Sequence, residues 1–118
     1  LYHTEKADMV IVPGSEGELP ADLQPIPLER TRDTGLLHTD GAISMGRSSA
    51  DSAIEQFFIC IGDQPGLDYG AMRNPDGQGF AAFGYVTSGM DVVRAIQQSP
   101  HDGQRLTPPV VIKRVSRK

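Results

Sequence analysis

The chain has 118 residues, a mass of 12.7 kDa, a net charge of −4 and an isoelectric point near 5.2. That length holds one domain, and the acidic balance excludes the basic field with which a general nucleic-acid or anionic-membrane binder attracts its partner. A single cysteine, Cys60, excludes an internal disulfide framework and a cysteine-rich zinc module, and no apolar run approaches the ~20 residues of a bilayer-crossing helix.

In chain order, Asp8-Met9-Val10-Ile11-Val12 is an apolar run stopped by Pro13-Gly14, which predicts a buried strand entering a turn. Residues 15–27 are acidic and proline-rich. Pro20, Pro25 and Pro27 forbid a regular helix and predict an extended surface loop. Residues 36–41 lead through a turn into a second strand, Ala42-Ile43-Ser44-Met45, and residues 48–52, small and polar, form another loop. Gln56-Phe57-Phe58-Ile59-Cys60-Ile61 is the most apolar stretch, aromatic and β-branched, and predicts a strand. Turn signals then accumulate around Leu67-Asp68-Tyr69, at Asp63-Gln64-Pro65-Gly66, Asn74-Pro75-Asp76-Gly77 and Gln78-Gly79. A strand resumes over 79–86. Met90, Val93 and Ile96/Gln97 fall about a turn apart, so 90–97 is expected to be helical, with Thr87-Ser88-Gly89 as its start. Pro108-Pro109 blocks helix, and Val110 to Val115 predicts a last strand before a basic tail. Many short strands, one clear helix and long turn-rich loops make the chain mainly β, a barrel or a sandwich.

Three stretches in this order resemble the cyclophilin family of peptidyl-prolyl cis-trans isomerases. They are Gly41-Ala42-Ile43-Ser44-Met45-Gly46-Arg47, then Ser52-Ala53-Ile54-Glu55-Gln56-Phe57-Phe58-Ile59, then Phe83-Gly84-Tyr85-Val86 through Gly89-Met90-Asp91-Val92-Val93. Leu67-Asp68 falls where the family has its own Leu-Asp. The segments at 28–36 and 74–79 resemble a bacterial branch with longer loops, and the likeness covers roughly residues 26 to 116. It implies a closed eight-stranded β barrel capped by two helices, with a proline-binding groove and no metal or cofactor. The first two strands, the first helix and the strand bearing the family's essential arginine have no counterpart before Asp8. The expectation is therefore a single cyclophilin-like domain over 1–118, N-terminally incomplete, with Leu1-Tyr2-His3 as a remnant of the turn after the first helix.

The resemblance also implies a set of substrate-binding residues. Phe58 matches the floor of the proline pocket, Leu67 its wall, and Ile11 the place of a pocket methionine. Gln56 matches a glutamine beside the groove, and Gly46, Arg47 and Ser48 the backbone segment that holds the peptide before proline. Phe80 falls where many members have a histidine. Pro13, before Gly14-Ser15, stands at the family's groove glutamine, and no Phe-x-Arg segment occurs, so no catalytic residue is assigned.

Read without the family, these residues have plainer roles. Phe57 and Phe58 alternate across a strand, so that one faces the core and one faces out, with core packing the plain role of either; Met45 and Ile59 are core, Gln56 is a solvated strand residue and Arg47 a loop charge. His38 is structural or solvated, Cys60 an inert buried thiol, and His3, His38 and His101 lack metal-ligand spacing. The function implied is isomerisation of X-Pro bonds in peptides and unfolded protein clients, with no nucleic acid and no membrane as partner. The alternative is a non-catalytic proline-peptide binding module on the same scaffold. A monomer is expected when the full domain is present, and otherwise a partner or second copy completing the barrel. The compartment stays open between cytoplasm and periplasm.

Overall fold

The computed structural model describes residues 2–3, 9–12, 23–103 and 105–117, with Val10 the one described side chain before residue 23. Its elements are β1 (Tyr2–His3), β2 (Met9–Val12), α1 (Thr31–Thr34), β3 (Ala42–Met45), β4 (Phe57–Cys60), a 3-10 turn (Pro65–Leu67), β5 (Ala81–Tyr85), α2 (Met90–Gln97), β6 (His101–Asp102) and β7 (Arg105–Leu106). All the strands join one antiparallel sheet in the order β5-β3-β4-β2-β1-β7-β6. The two ends of that order, β5 and β6, do not pair with each other among the described residues, so the sheet is open there.

Period-two patterning builds the centre of this sheet. Phe58 and Cys60 of β4 point to one side and are buried, while Phe57 and Ile59 are half-buried on the other. On β3, Ala42 and Ser44 share the buried side, leaving Ile43 and Met45 half-buried. Met45 and Ile59, expected in the core, thus lie on the less covered face. Between β3 and β5 the register shifts: Ser44 opposes Ala82 and Ile43 opposes Gly84, leaving Phe83 as the extra residue of a bulge. Ala81 and Ala82, opposite Met45 and Ser44, are buried on opposite faces, and Phe83, the extra residue, is exposed. The buried side gathers Ala42, Phe58, Cys60 and Leu67 into a core cluster, with Phe80 packed against it.

The helix forms as its spacing predicts. Met90, Val93, Ile96 and Gln97 are half-buried along one stripe, Asp91, Val92, Arg94 and Ala95 are exposed, and α2 packs beside β2. No helix among the described residues is long and apolar enough to cross a membrane.

Two local expectations differ. Residues 110–115 are not a strand: Val111 is 74% exposed and Val115 84%, and no ladder forms there. β propensity expresses itself only against a partner strand, and this segment meets none among the described residues. Instead β6 and β7 make a two-residue hairpin around Gly103, whose φ is +60°. Tyr2–His3 is a strand between β2 and β7 rather than a turn remnant; two residues are too short to show a period. Asp8, Pro13, Gly14, Ser15 and the loop at 15–22 lie outside the described residues.

Candidate proline-binding site

The apolar half of the site is built where β4 meets the long connection. Phe58 is 4% exposed and Leu67, at the end of the 3-10 turn, 2%. Phe80, entering β5, meets the Phe58 ring edge-on at 5.5 Å between centroids and 90° between planes, a favoured aromatic geometry. Of the three, Phe80 alone is half-buried and reaches the surface. For Ile11 the backbone register alone is described: it opposes Phe58 across the β2–β4 ladder.

Behind Phe58 runs a buried polar chain. His38 stacks on the Phe58 ring at 6.2 Å and 14°. Its Nδ1 lies 2.7 Å from Asp68 Oδ1, which also accepts the His38 backbone N–H at 2.9 Å, and its Nε2 lies 2.9 Å from the buried Ser44 hydroxyl. Burial holds the imidazole pKa below its ordinary value although Asp68 pulls the other way, so the ring is neutral at pH 7. Serine, histidine and carboxylate in a row resemble a hydrolase relay, but Ser44 is wholly enclosed and no substrate reaches its hydroxyl. Its role is to fix the ring that backs the aromatic corner.

The polar half is an open cleft of about 270 Å³ that includes Gly46, Arg47, Ser48, Ile54, Glu55 and Gln56. Gly46 N–H donates to the Gln56 carbonyl at 2.8 Å, and the Gln56 side chain lies over Gly46 so closely that a Cβ there would sit 3.0 Å from its Cγ. The Ser48 N–H donates to Ser52 Oγ at 3.0 Å. Ser48 and Gln56 are exposed.

Arg47 joins the halves. Its side chain is 3% exposed, its Nη groups grip the Asp76 carboxylate at 3.0 and 3.2 Å, and its Nε donates to the Gly79 carbonyl at 2.9 Å. Its guanidinium carbon stands 5.1 Å from the centroid of the Phe80 ring. The structure therefore brings Phe58, Leu67 and Phe80 into one corner and Gly46, Arg47, Ser48 and Gln56 into an adjoining cleft.

Sequence reading missed two parts of this arrangement, the His38–Asp68–Ser44 chain and the Arg47–Asp76–Gly79 contacts. His38 and Asp68 lie 30 residues apart, and Arg47 lies 29 from Asp76 and 32 from Gly79, separations that leave no spacing signal. The one available hint was Asp68 standing next to a pocket leucine.

Comparison with known proteins gives the family. The family model described as cyclophilin type peptidyl-prolyl cis-trans isomerase/CLD matches residues 5–117. Peptidyl-prolyl cis-trans isomerase cyp18 of Streptomyces antibioticus is 39% identical over 72 residues, 60% of this chain and 43% of that protein. Peptidyl-prolyl cis-trans isomerase A of Dickeya dadantii is 42% identical over 73 residues, 61% of this chain and 36% of that one. The Acinetobacter baylyi peptidyl-prolyl cis-trans isomerase is 41% identical over 75 residues, 63% and 38%. The matched stretch thus spans about two fifths of the length of these relatives. With a family match along nearly all of its length, the chain belongs to the cyclophilin-type peptidyl-prolyl cis-trans isomerase family.

Proposed function

We propose that the protein accelerates cis-trans rotation about X-Pro bonds in peptides and unfolded protein clients. The observation that carries this reading is the corner of Phe58, Leu67 and Phe80 set beside the Gly46–Ser48 and Gln56 cleft, in a chain whose relatives are named peptidyl-prolyl isomerases. Rotation about the amide must cross ~18–20 kcal/mol, and it needs neither nucleophile nor acid. It needs a socket that holds the proline ring while the flanking peptide is held apart from it, since restraint of both ends favours the twisted geometry. In this reading Phe58 and Leu67 floor and wall the socket, Phe80 forms its rim, Ile11 joins it from β2, and Gly46, Ser48 and Gln56 hold the residues before proline. A donor to the proline nitrogen would add about 3 kcal/mol, by analogy with an oxyanion-hole donor. The socket, rather than that donor, is what the described residues supply. The whole-domain fold belonging to this reading is an eight-stranded closed barrel with capping helices, monomeric when the full domain is present, with 1–118 lying in that one domain.

The test is cis-to-trans relaxation of a short Ala-Pro peptide. Acceleration at micromolar protein, lost on Phe58→Ala, is expected. Peptide binding without acceleration would instead give a proline-binding module, and neither binding nor acceleration would end the reading.

A further inference from the structure

We propose that Arg47 is a positioning residue: it locks the loop 74–80 against the site and holds Phe80 in place, and its effect on a bound proline passes through that ring. The functional half of this inference rests on the isomerase reading; the structural half does not.

Four contacts commit the guanidinium. Nη1 and Nη2 form a fork on Asp76, and Nε and Nη2 both donate to the Gly79 carbonyl. Arginine has five N–H donors, and a side chain 3% exposed with four N–H contacts made has little left to offer a peptide. The fork matters because planar bidentate pairing fixes direction as well as distance. What it fixes is the peptide unit joining Gly79 to Phe80. The carbonyl of that unit accepts from Arg47, and its N–H donates to the Leu67 carbonyl at 2.9 Å. Both edges of one amide plane are thus held by residues of the site, one on each side. Gly79 permits this approach: its φ is +72°, and a Cβ there would sit 2.7 Å from the Leu67 oxygen.

The loop is fastened at further points, by Gly70 N–H to the Gly77 carbonyl at 2.7 Å and by Arg30 Nε to Gln78 Oε1. Phe80 leaves this fastened loop with Arg47 toward its face and Phe58 on its edge. The ring is therefore held from three directions, by its own backbone, by a cation and by the socket floor. A buried arginine that only balanced Asp76 would have no reason to donate as well to the carbonyl preceding the rim residue.

The experiment combines Arg47→Met, Phe80→Ala and the double variant in the full chain, with Arg47→Lys as a conservative partner. Loss of charge-assisted bonds of this strength should speed hydrogen exchange at the Phe80 and Gly70 amides by about ten- to a hundredfold, with the β4 amides unchanged and Arg47→Lys in between. Unchanged exchange at those two amides overturns the lock. On an Ala-Pro peptide, Arg47→Met should lower kcat/KM about tenfold alone and by less than about twofold in the Phe80→Ala background, since two changes acting through one ring do not add. Independent, multiplying losses overturn the route through Phe80 and make Arg47 a direct peptide contact. A parent chain that neither binds nor isomerises the peptide refutes the isomerase reading, and with it the route to substrate, while the exchange measurement still decides the lock.

Discussion

Cys60 is the residue whose chemistry burial changes most. It is wholly enclosed in β4, which pairs with β2 on one side and β3 on the other. Burial, together with the negative charges of Asp68 and Asp40, pushes its thiol up to about 12. The thiolate is the reactive form, so at neutral pH the folded chain offers neither the species nor the access. A thiol-disulfide reagent should label Cys60 at the rate of opening in native buffer and at once in urea; immediate full labelling in native buffer would contradict this. Ser44 makes the complementary case. Its buried hydroxyl meets His38 Nε2 at 2.9 Å, so Ser44→Ala removes little volume but leaves a buried ring nitrogen unpartnered. The expected cost is about 1–3 kcal/mol, seen as a lower urea midpoint at unchanged slope. A midpoint equal to that of the parent would mean that the ring finds another partner.

Among the elements, the loop between the 3-10 turn and β5 separates backbone strain from packing. Gly77 and Gly79 both have positive φ, +66° and +72°, but a Cβ on Gly77 meets nothing within 4 Å whereas one on Gly79 meets backbone atoms of Leu67, Asp68 and Tyr69 at 2.7 to 2.8 Å. Gly77→Ala should therefore cost only the left-handed penalty, about 1–2 kcal/mol. Gly79→Ala should cost clearly more, because the Leu67 backbone cannot give way without moving the hydrogen bond to Phe80. Equal urea midpoints for the two variants would show that the loop relaxes freely. The same loop marks the limit of what was legible in the sequence. β2, β3, β4, β5 and α2 could be read because each carries its own period or apolar run, and the motifs at 41–47 and 52–59 pointed to the family before any geometry. The sheet order could not be read, since the neighbours of β4 come from before residue 13 and before residue 46 and nothing local names them. α1, a single turn closed by Gly35 at φ +75°, spans about one helical period and so repeats none. The partners of the Arg47 guanidinium could not be read either, since Asp76 and Gly79 are about 30 positions away.

At the scale of the whole molecule, three groups with lowered pKa are also ties between distant segments. Asp40 accepts from Gly62 N–H and from Arg94 on α2, Asp76 accepts from Arg47, and His38 meets Asp68, across separations of 22 to 54 residues. Protonation at any of them therefore acts on the folded state as a whole. Asp40 is held below its ordinary value of 3.8, first by the Gly62 N–H and then by Arg94, and Asp76 first by Arg47 and then by the Gln78 N–H. His38 is held below 6.5, by burial. All three shifts have the same sign. In each case the unfolded chain takes up the proton at a higher pH than the folded chain, so stability rises with pH through the window between the two values. Two steps are expected as pH falls: one beginning near 6.5, where the unfolded chain protonates His38 and the folded chain does not, and one beginning near 3.8, where the carboxylates do the same. A series of urea midpoints from pH 8 to pH 3 would trace both. His38→Gln cannot titrate, so that variant should be less stable at pH 8 yet flat across the upper window, while the lower step persists. If the upper step survives in His38→Gln, the buried imidazole is not its source, and the neutral ring behind Phe58 loses its support.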